Sequence, residues 1–364
     1  MPSLSNLQIF ILLFVTITPF TYIFSPRVLA QLAGPDSWLA VFLLVIPGSI
    51  IIKVYTFLIN NSHRPFPGML KEHLGSLAGG VLGFTYALVF LLLSVTILRF
   101  FVSFVQSVIL PGLPISLLVF IMLLPGILVI YSGWEVLARV GEIVFLFGFP
   151  LASLILLLAA GQDIEIRHLL PLLASPAEDL GAASLQLLWV WGSIMVVLFL
   201  AFCSNDPPGI PGILYKLLFV FTLFTVITQV VCLVNLGVPL ATQLSFPVFS
   251  MTRAVSILDF IRNIEAVLIT IHIAGIFIPV TLNWLMALLI LKDVLGLQDY
   301  RFLAAPSALL IGFLSILISP NILILFVMLE KIVPLLFSFF YIVIPIFLAL
   351  FLYGKKTVAH YKNQ

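Results

Sequence analysis

Residues 16–26 read TITPFTYIFSP and stand in the middle of the first long apolar run. A helix crossing a bilayer normally fills its centre with Leu, Ile and Val. Here Pro19 sits at that depth, with Thr16, Thr18 and Thr21 around it. Proline has no backbone N–H and pushes away the carbonyl four residues earlier. An unpaired carbonyl in lipid is costly unless another group satisfies it, and the threonine hydroxyls can supply part of what is lost. Two readings follow. One is a simple kink. The other is a junction between half-helices, tolerated at membrane depth where it lines a cavity.

Composition requires the membrane. Of 364 residues, 63% are hydrophobic and 8% charged, with a mean hydropathy of +1.30. A soluble domain carries roughly a quarter charged residues, so water cannot solvate this surface and lipid must. The net charge of +2 includes no basic tract, which excludes a nucleic-acid partner. Cys203 and Cys232 lie in separate apolar stretches and make neither a disulfide framework nor a metal site. The five histidines have no metal-ligand spacing. No nucleophile–base arrangement, HExxH, P-loop or dinucleotide fingerprint is present, so neither catalysis nor a cofactor or metal is expected.

A crossing needs about 20 apolar residues. By that rule ten spans are expected, near 7–33, 37–59, 77–106, 115–131, 142–160, 185–204, 213–236, 261–291, 303–319 and 328–353. Together they make one transmembrane domain over residues 1–364. With the N-terminus inside, ten of the 16 Lys and Arg fall at inner ends, which places both termini in the cytoplasm. The longest outer connections are 161–181 and about 237–259. The second contains FPVFSMTRAV, expected as a short helix along the outer surface.

Ten spans can form two inverted sets of five, about 7–160 and about 185–353. Span one then corresponds to span six, and both are broken where substrate binds. Span six carries Gly192 and Ser193 near its centre, after Trp189 and Trp191. Gly weakens a helix locally and lets a ligand approach the backbone. The competing reading is a small residue for helix packing. The expected site therefore lies between spans one and six. Thr16, Thr18, Thr21 and Ser193 offer hydroxyls, Pro19 and Gly192 mark the breaks, and Phe20, Trp189 and Trp191 bound the cavity.

The stretches PRVLAQLAGPDSWLAVFL (26–43), PFPGMLKEHLGSLAGGVLG (65–83), DIEIRHLLPLLASPAEDLG (163–181) and FPVFSMTRAVSILDFIRNIEAVLITIHIAGIF (246–277) resemble the spore germination receptor B subunit. That family is a branch of the amino acid–polyamine–organocation (APC) superfamily. The resemblance runs over nearly the whole length. It implies an all-α fold of ten helices with an inverted five-plus-five, APC/LeuT-like repeat. It also implies a spore inner-membrane location, receptor A and C subunits as partners, and a small germinant, commonly an amino acid. An ion-coupled amino acid permease of the same fold is the alternative. Thr18, Pro19 and Phe20 stand where the superfamily usually has a Gly-rich break, and Pro19 offers no N–H to a substrate carboxylate.

Few charges lie near membrane depth. Arg262 and Glu265 are three apart and expected to pair. Arg99 lies in span three, where it can snorkel or face the core. Glu135 and Glu142 bracket Arg139 near the inner ends of spans four and five, as a gate or loop clamp. Gly75, Gly79 and Gly83 read as a packing stripe.

Overall fold

The computed structural model describes residues 4–161, 164–254 and 264–362. They are helical, with one isolated bridge between Leu4 and Ser204. Among the described residues, eight helical stretches are long and apolar enough to cross a bilayer. The chain is an all-α integral membrane protein. Its first half comprises α1 (Asn6–Ala33), α2 (Ser37–Leu43), α3 (Val45–Asn60), α4 (Gly68–Leu74), α5 (Ser76–Phe104), α6 (Ile115–Ser132) and α7 (Trp134–Ala159). Then follow α8 (Ala177–Gly192), α9 (Val197–Leu200), α10 (Ile210–Gln243), α11 (Pro247–Ala254), α12 (Ile264–Leu295) and α13 (Ala304–Leu317). The last stretch is α14 (Ile322–Val327), α15 (Val333–Ser338) and α16 (Ile344–Lys362), joined by π-helical turns at Met328–Ile332 and Phe339–Val343.

Helix α1 starts on a capping box: the Gln8 N–H donates to Ser5 Oγ at 3.1 Å and the Ser5 N–H to Gln8 Oε1 at 2.9 Å. It then runs unbroken for 28 residues through both Pro19 and Pro26. The expected break in span one is therefore corrected. A proline removes a single helical donor, and α7, α8, α10 and α12 pack around α1 and hold it in register. Two of the threonines bond back within the helix, Thr16 Oγ1 to the Leu12 carbonyl at 2.6 Å and Thr21 Oγ1 to the Ile17 carbonyl at 2.7 Å.

Span six changes pitch without opening. α8 ends at Gly192, residues 193–196 tighten into a 3₁₀ turn, and α9 continues. Ser193 Oγ bonds back to the Val190 carbonyl at 2.6 Å. The expected break here is an overwinding, because burial on all sides leaves no water to take up freed backbone groups.

Span one begins where span six ends. The Leu4 N–H donates to the Cys203 carbonyl at 2.8 Å, and the Asn205 N–H to the Leu4 carbonyl at 3.0 Å. Asn6 Nδ2 donates to Asp206 Oδ2 at 2.9 Å, and Ser204 Oγ donates to Asn6 Oδ1 at 2.7 Å. This is the N-terminal face. On the opposite face α11 is tucked into the bundle, with Phe246, Val248, Phe249 and Met251 all buried. The expected surface helix is corrected accordingly: Phe246 and Phe249 pack edge-on against Phe104 at 4.9 and 5.6 Å, an aromatic contact that water on the surface would not provide.

Two further details follow the small residues. Gly133, at φ +90°, ends α6, so span five starts at Trp134 and not near 142. The glycine stripe of α5 is a packing surface. A Cβ on Gly79 would lie 2.6 Å from the Leu70 backbone, and one on Gly83 would lie 2.8 Å from Val294 Cγ2.

Candidate functional site

At the level of Pro19 the bundle holds a partly open cavity of about 50 Å³. From α1 it is lined by Phe14, Val15, Thr18, Pro19 and Tyr22. The facing walls are Phe145, Gly148, Phe149 and Ala152 of α7, Phe224 of α10, and Ile271, His272 and Gly275 of α12. The α1 residues fall at helical spacing 15, 18, 19 and 22, which is one face. Two of its walls are glycines that let neighbouring side chains approach closely. A Cβ on Gly275 would stand 2.9 Å from Pro19 Cγ, and one on Gly148 would stand 3.2 Å from Ile271 Cγ2. The pyrrolidine ring of Pro19 therefore seats against Gly275.

The surface the cavity presents is almost wholly apolar and carries no charge. Thr18 Oγ1 and Tyr22 Oη are buried and have no hydrogen-bond partner among the described residues. The His272 ring lies 5.2 Å from that of Tyr22. No Asp, Glu, Lys or Arg is among the lining residues. A buried hydroxyl left unsatisfied costs about 1–3 kcal/mol, so these groups are set for water or for a ligand's polar atoms. A water needs about 10–15 Å³ of such space, so a few fit. Ligand pockets usually run to about 300–1,000 Å³, so this space as it stands is too small for a ligand of that kind. The lid on the far side is aromatic: Phe104 stands 6.2 Å from His272 and carries Phe246 and Phe249 above it.

Of the residues expected between spans one and six, Thr18 and Pro19 line this cavity. Thr16 and Thr21 spend their hydroxyls within α1. Phe20 packs against Trp189 at 5.4 Å and Phe100 at 4.8 Å, closing the contact of α1 with α8 as an aromatic wall. Trp191 is fully buried beside Phe221 at 5.8 Å. Both indole N–H groups, Trp189 and Trp191, are buried without a hydrogen-bond acceptor among the described residues. Gly192 lies behind them, where a Cβ would stand 3.0 Å from Tyr341 Cβ. Ser193 follows it, with its hydroxyl bonded within its own turn. Tyr22, Gly148, Phe149, Phe224, His272 and Gly275 complete the cavity and escaped the sequence reading. The α1 face spacing could have found Tyr22, and the His272–Gly275 spacing of three could have found its facing wall.

The charged candidates lie apart from it. Arg99 is 3% exposed in α5, and its Nε and Nη1 have no partner among the described residues. Glu135, Arg139 and Glu142 all belong to α7, and no ion pair joins them. The expected clamp between two spans is corrected, since α7 starts at Trp134, earlier than expected, and so carries all three on one helix with Arg139 turned to the surface. Arg262 lies outside the described residues, as does the side chain of Glu265, so their pairing is not part of the described structure. An ion pair that does form is Lys71–Asp293, 3.0 Å, linking α4 to α12. Arg27 of α1 lies 4.2 Å over the ring of Phe326.

The family model for "Spore germination protein", a spore permease family, matches residues 3–323. The chain is 23% identical over 299 residues to spore germination protein KB of Bacillus subtilis (strain 168), covering 80% of this chain and 79% of that one. It is 25% identical over 209 residues to YfkT of the same strain, covering 56% of this chain and 54% of that one.

Proposed function

This chain belongs to the spore germination protein family, and from that premise we propose that it is the germinant-sensing membrane subunit of a germination receptor. It acts in the spore inner membrane with A and C subunits. The first helical stretch, Asn6–Asn60, is 55 residues long and counts as two crossings, and the shorter apolar helix Arg301–Leu317 counts as another. On that count the reading has ten crossings, and it takes them as two inverted sets of five with both termini cytoplasmic.

The observation that carries this reading is the partly open cavity at Pro19, with two buried hydroxyls at its wall that have no partner among the described residues. The ligand is a small germinant, an amino acid in the first instance. Thr18 and Tyr22 hold its polar atoms. Parting of Phe20 from Trp189 enlarges the pocket towards span six, where the free indole N–H groups of Trp189 and Trp191, with Gly192 and Ser193, complete it. A germinant can shift the bundle only by its differential affinity for the open and closed forms. Moving the balance from 1:99 to 99:1 takes about 5.5 kcal/mol of such difference.

Ion-coupled amino acid transport is the second reading. The unpaired hydroxyls favour it, because oxygen atoms at membrane depth can coordinate a cation. Against proton coupling, the cavity lining has no carboxylate.

The experiment is dipicolinate release from spores deleted for the gene, across a panel of single nutrients. Loss of one nutrient response, restored by the gene, is the expected result. Normal responses to every nutrient would remove the receptor assignment. Uptake of that nutrient by proteoliposomes of this chain would then favour transport.

A further inference from the structure

The connection from α7 to α8 crosses the face opposite the N-terminus, and its backbone is tied inward. The Glu165 N–H donates to the Val234 carbonyl at 3.1 Å, and that of Leu170 to the Arg167 carbonyl at 3.0 Å. The Leu173 and Ser175 N–H groups donate to the two carboxylate oxygens of Asp36, each at 2.8 Å. Ser175 Oγ donates to the Ala33 carbonyl at 2.8 Å. Pro171 and Pro176 have no N–H to satisfy. Leu169 packs inward on Ala30 and Cys232.

The outward side chains are the reverse of what water favours. Ile166 is 70% exposed, Leu170 57%, Leu172 54% and Leu173 77%. Each forgoes roughly 1.5–3 kcal/mol by standing in water. A backbone satisfied from within and apolar side chains turned out is what a lipid contact requires. The lipid-facing surface is continuous with this segment on both sides: Leu157 of α7 is 68% exposed just before it, and Leu185 of α8 62% just after. Glu165 and Arg167, interleaved with the apolar residues, form an exposed pair at 3.9 Å suited to headgroups.

We propose that residues 164–173 are a membrane-interface anchor, seated at the headgroup–acyl boundary of the leaflet on that face, with Ile166, Leu170, Leu172 and Leu173 among the acyl chains. The anchor fixes the height of the α7–α8 connection against the bilayer. It stands independently of the germinant assignment.

The test is nitroxide accessibility in the full chain, reconstituted in phosphatidylethanolamine–phosphatidylglycerol vesicles. Ile166→Cys, Leu173→Cys and the control Arg167→Cys are each labelled. Cys203 and Cys232 are buried and give little background. Leu172→Cys replaces either apolar position if that variant fails to reconstitute. Labels at 166 and 173 are expected to be relaxed several-fold more by oxygen than by an aqueous nickel chelate, and the label at 167 the reverse. Preference for the nickel chelate at 166 and 173 would put the segment in water. Protection from both reagents would mean that protein, a second copy of this chain, covers it. Either result overturns the proposal.

Discussion

Spores whose only copy of this protein carries Gly275→Leu are expected to need about 10- to 100-fold more germinant for half-maximal dipicolinate release, compared at equal protein level. A Cβ at this position stands 2.9 Å from Pro19 Cγ and 3.1 Å from Pro19 Cβ. Leucine sends three further carbons into a cavity of about 50 Å³. Overpacking of this kind costs about 1–3 kcal/mol, and each 1.4 kcal/mol is about tenfold in affinity. The Cβ meets the Pro19 ring, so α1 and α12 must also part, and the immunoblot separates that cost to the fold from the loss of ligand. Removing a helical glycine also returns up to about 1 kcal/mol of helix propensity. The check is a dose–response curve with an immunoblot of the same spores. An unchanged curve would take the cavity out of germinant recognition.

Tyr55→Phe is expected to cost about 1–3 kcal/mol of stability and to raise dipicolinate release in the absence of nutrient. The Tyr55 ring, in α3, is fully buried. Its hydroxyl reaches two carbonyls, Gly192 at 3.1 Å and Tyr341 at 2.5 Å. The first ends α8, where span six changes pitch. The second lies in a π-helical turn of the last span, whose Phe340 carbonyl takes the Tyr86 hydroxyl at 2.7 Å. A π turn is a local insertion in a helix and is common at functional sites. One phenol thus ties α3, span six and the last span together in the closed form. Phenylalanine keeps the packing and leaves both carbonyls without that donor. The closed form loses relative to any form in which these spans have parted. Thermal unfolding in detergent and a nutrient-free release assay give the two readouts. An unchanged midpoint with no basal release would mean that the phenol does not hold the spans together.

Much of this was legible in the chain itself. Apolar runs separated by glycine and proline located the long helices, because lipid demands long, uninterrupted hydrogen-bonded segments, but α7 and α8 each start eight residues before the expected spans, at Trp134 and Ala177 rather than 142 and 185. Pro19 was visible as an anomaly. Its explanation was not, because the residue that accommodates it, Gly275, lies 256 positions away on α12. The Gly192–Ser193 weakness was visible too, yet Gly and Ser at a helix centre do not distinguish unwinding from a 3₁₀ tightening; burial decides. The segment FPVFSMTRAV reads as helical from its pattern, but its depth depends on Phe104 of α5, which no local signal names. The cavity escaped for the same reason. Its walls come from four helices, and two of them, at Gly148 and Gly275, are defined by side chains that are not there.

The most direct measurement is the alkylation rate of Ala152→Cys by N-ethylmaleimide in spore inner membranes. It is taken with and without the nutrient whose response requires this gene. Ala152 lines the cavity, whereas the native Cys203 and Cys232 do not. A germinant seated at Thr18 and Tyr22 predicts slower alkylation in that nutrient and no change in nutrients that act without this gene. An equal rate with and without it would contradict a ligand site in this cavity.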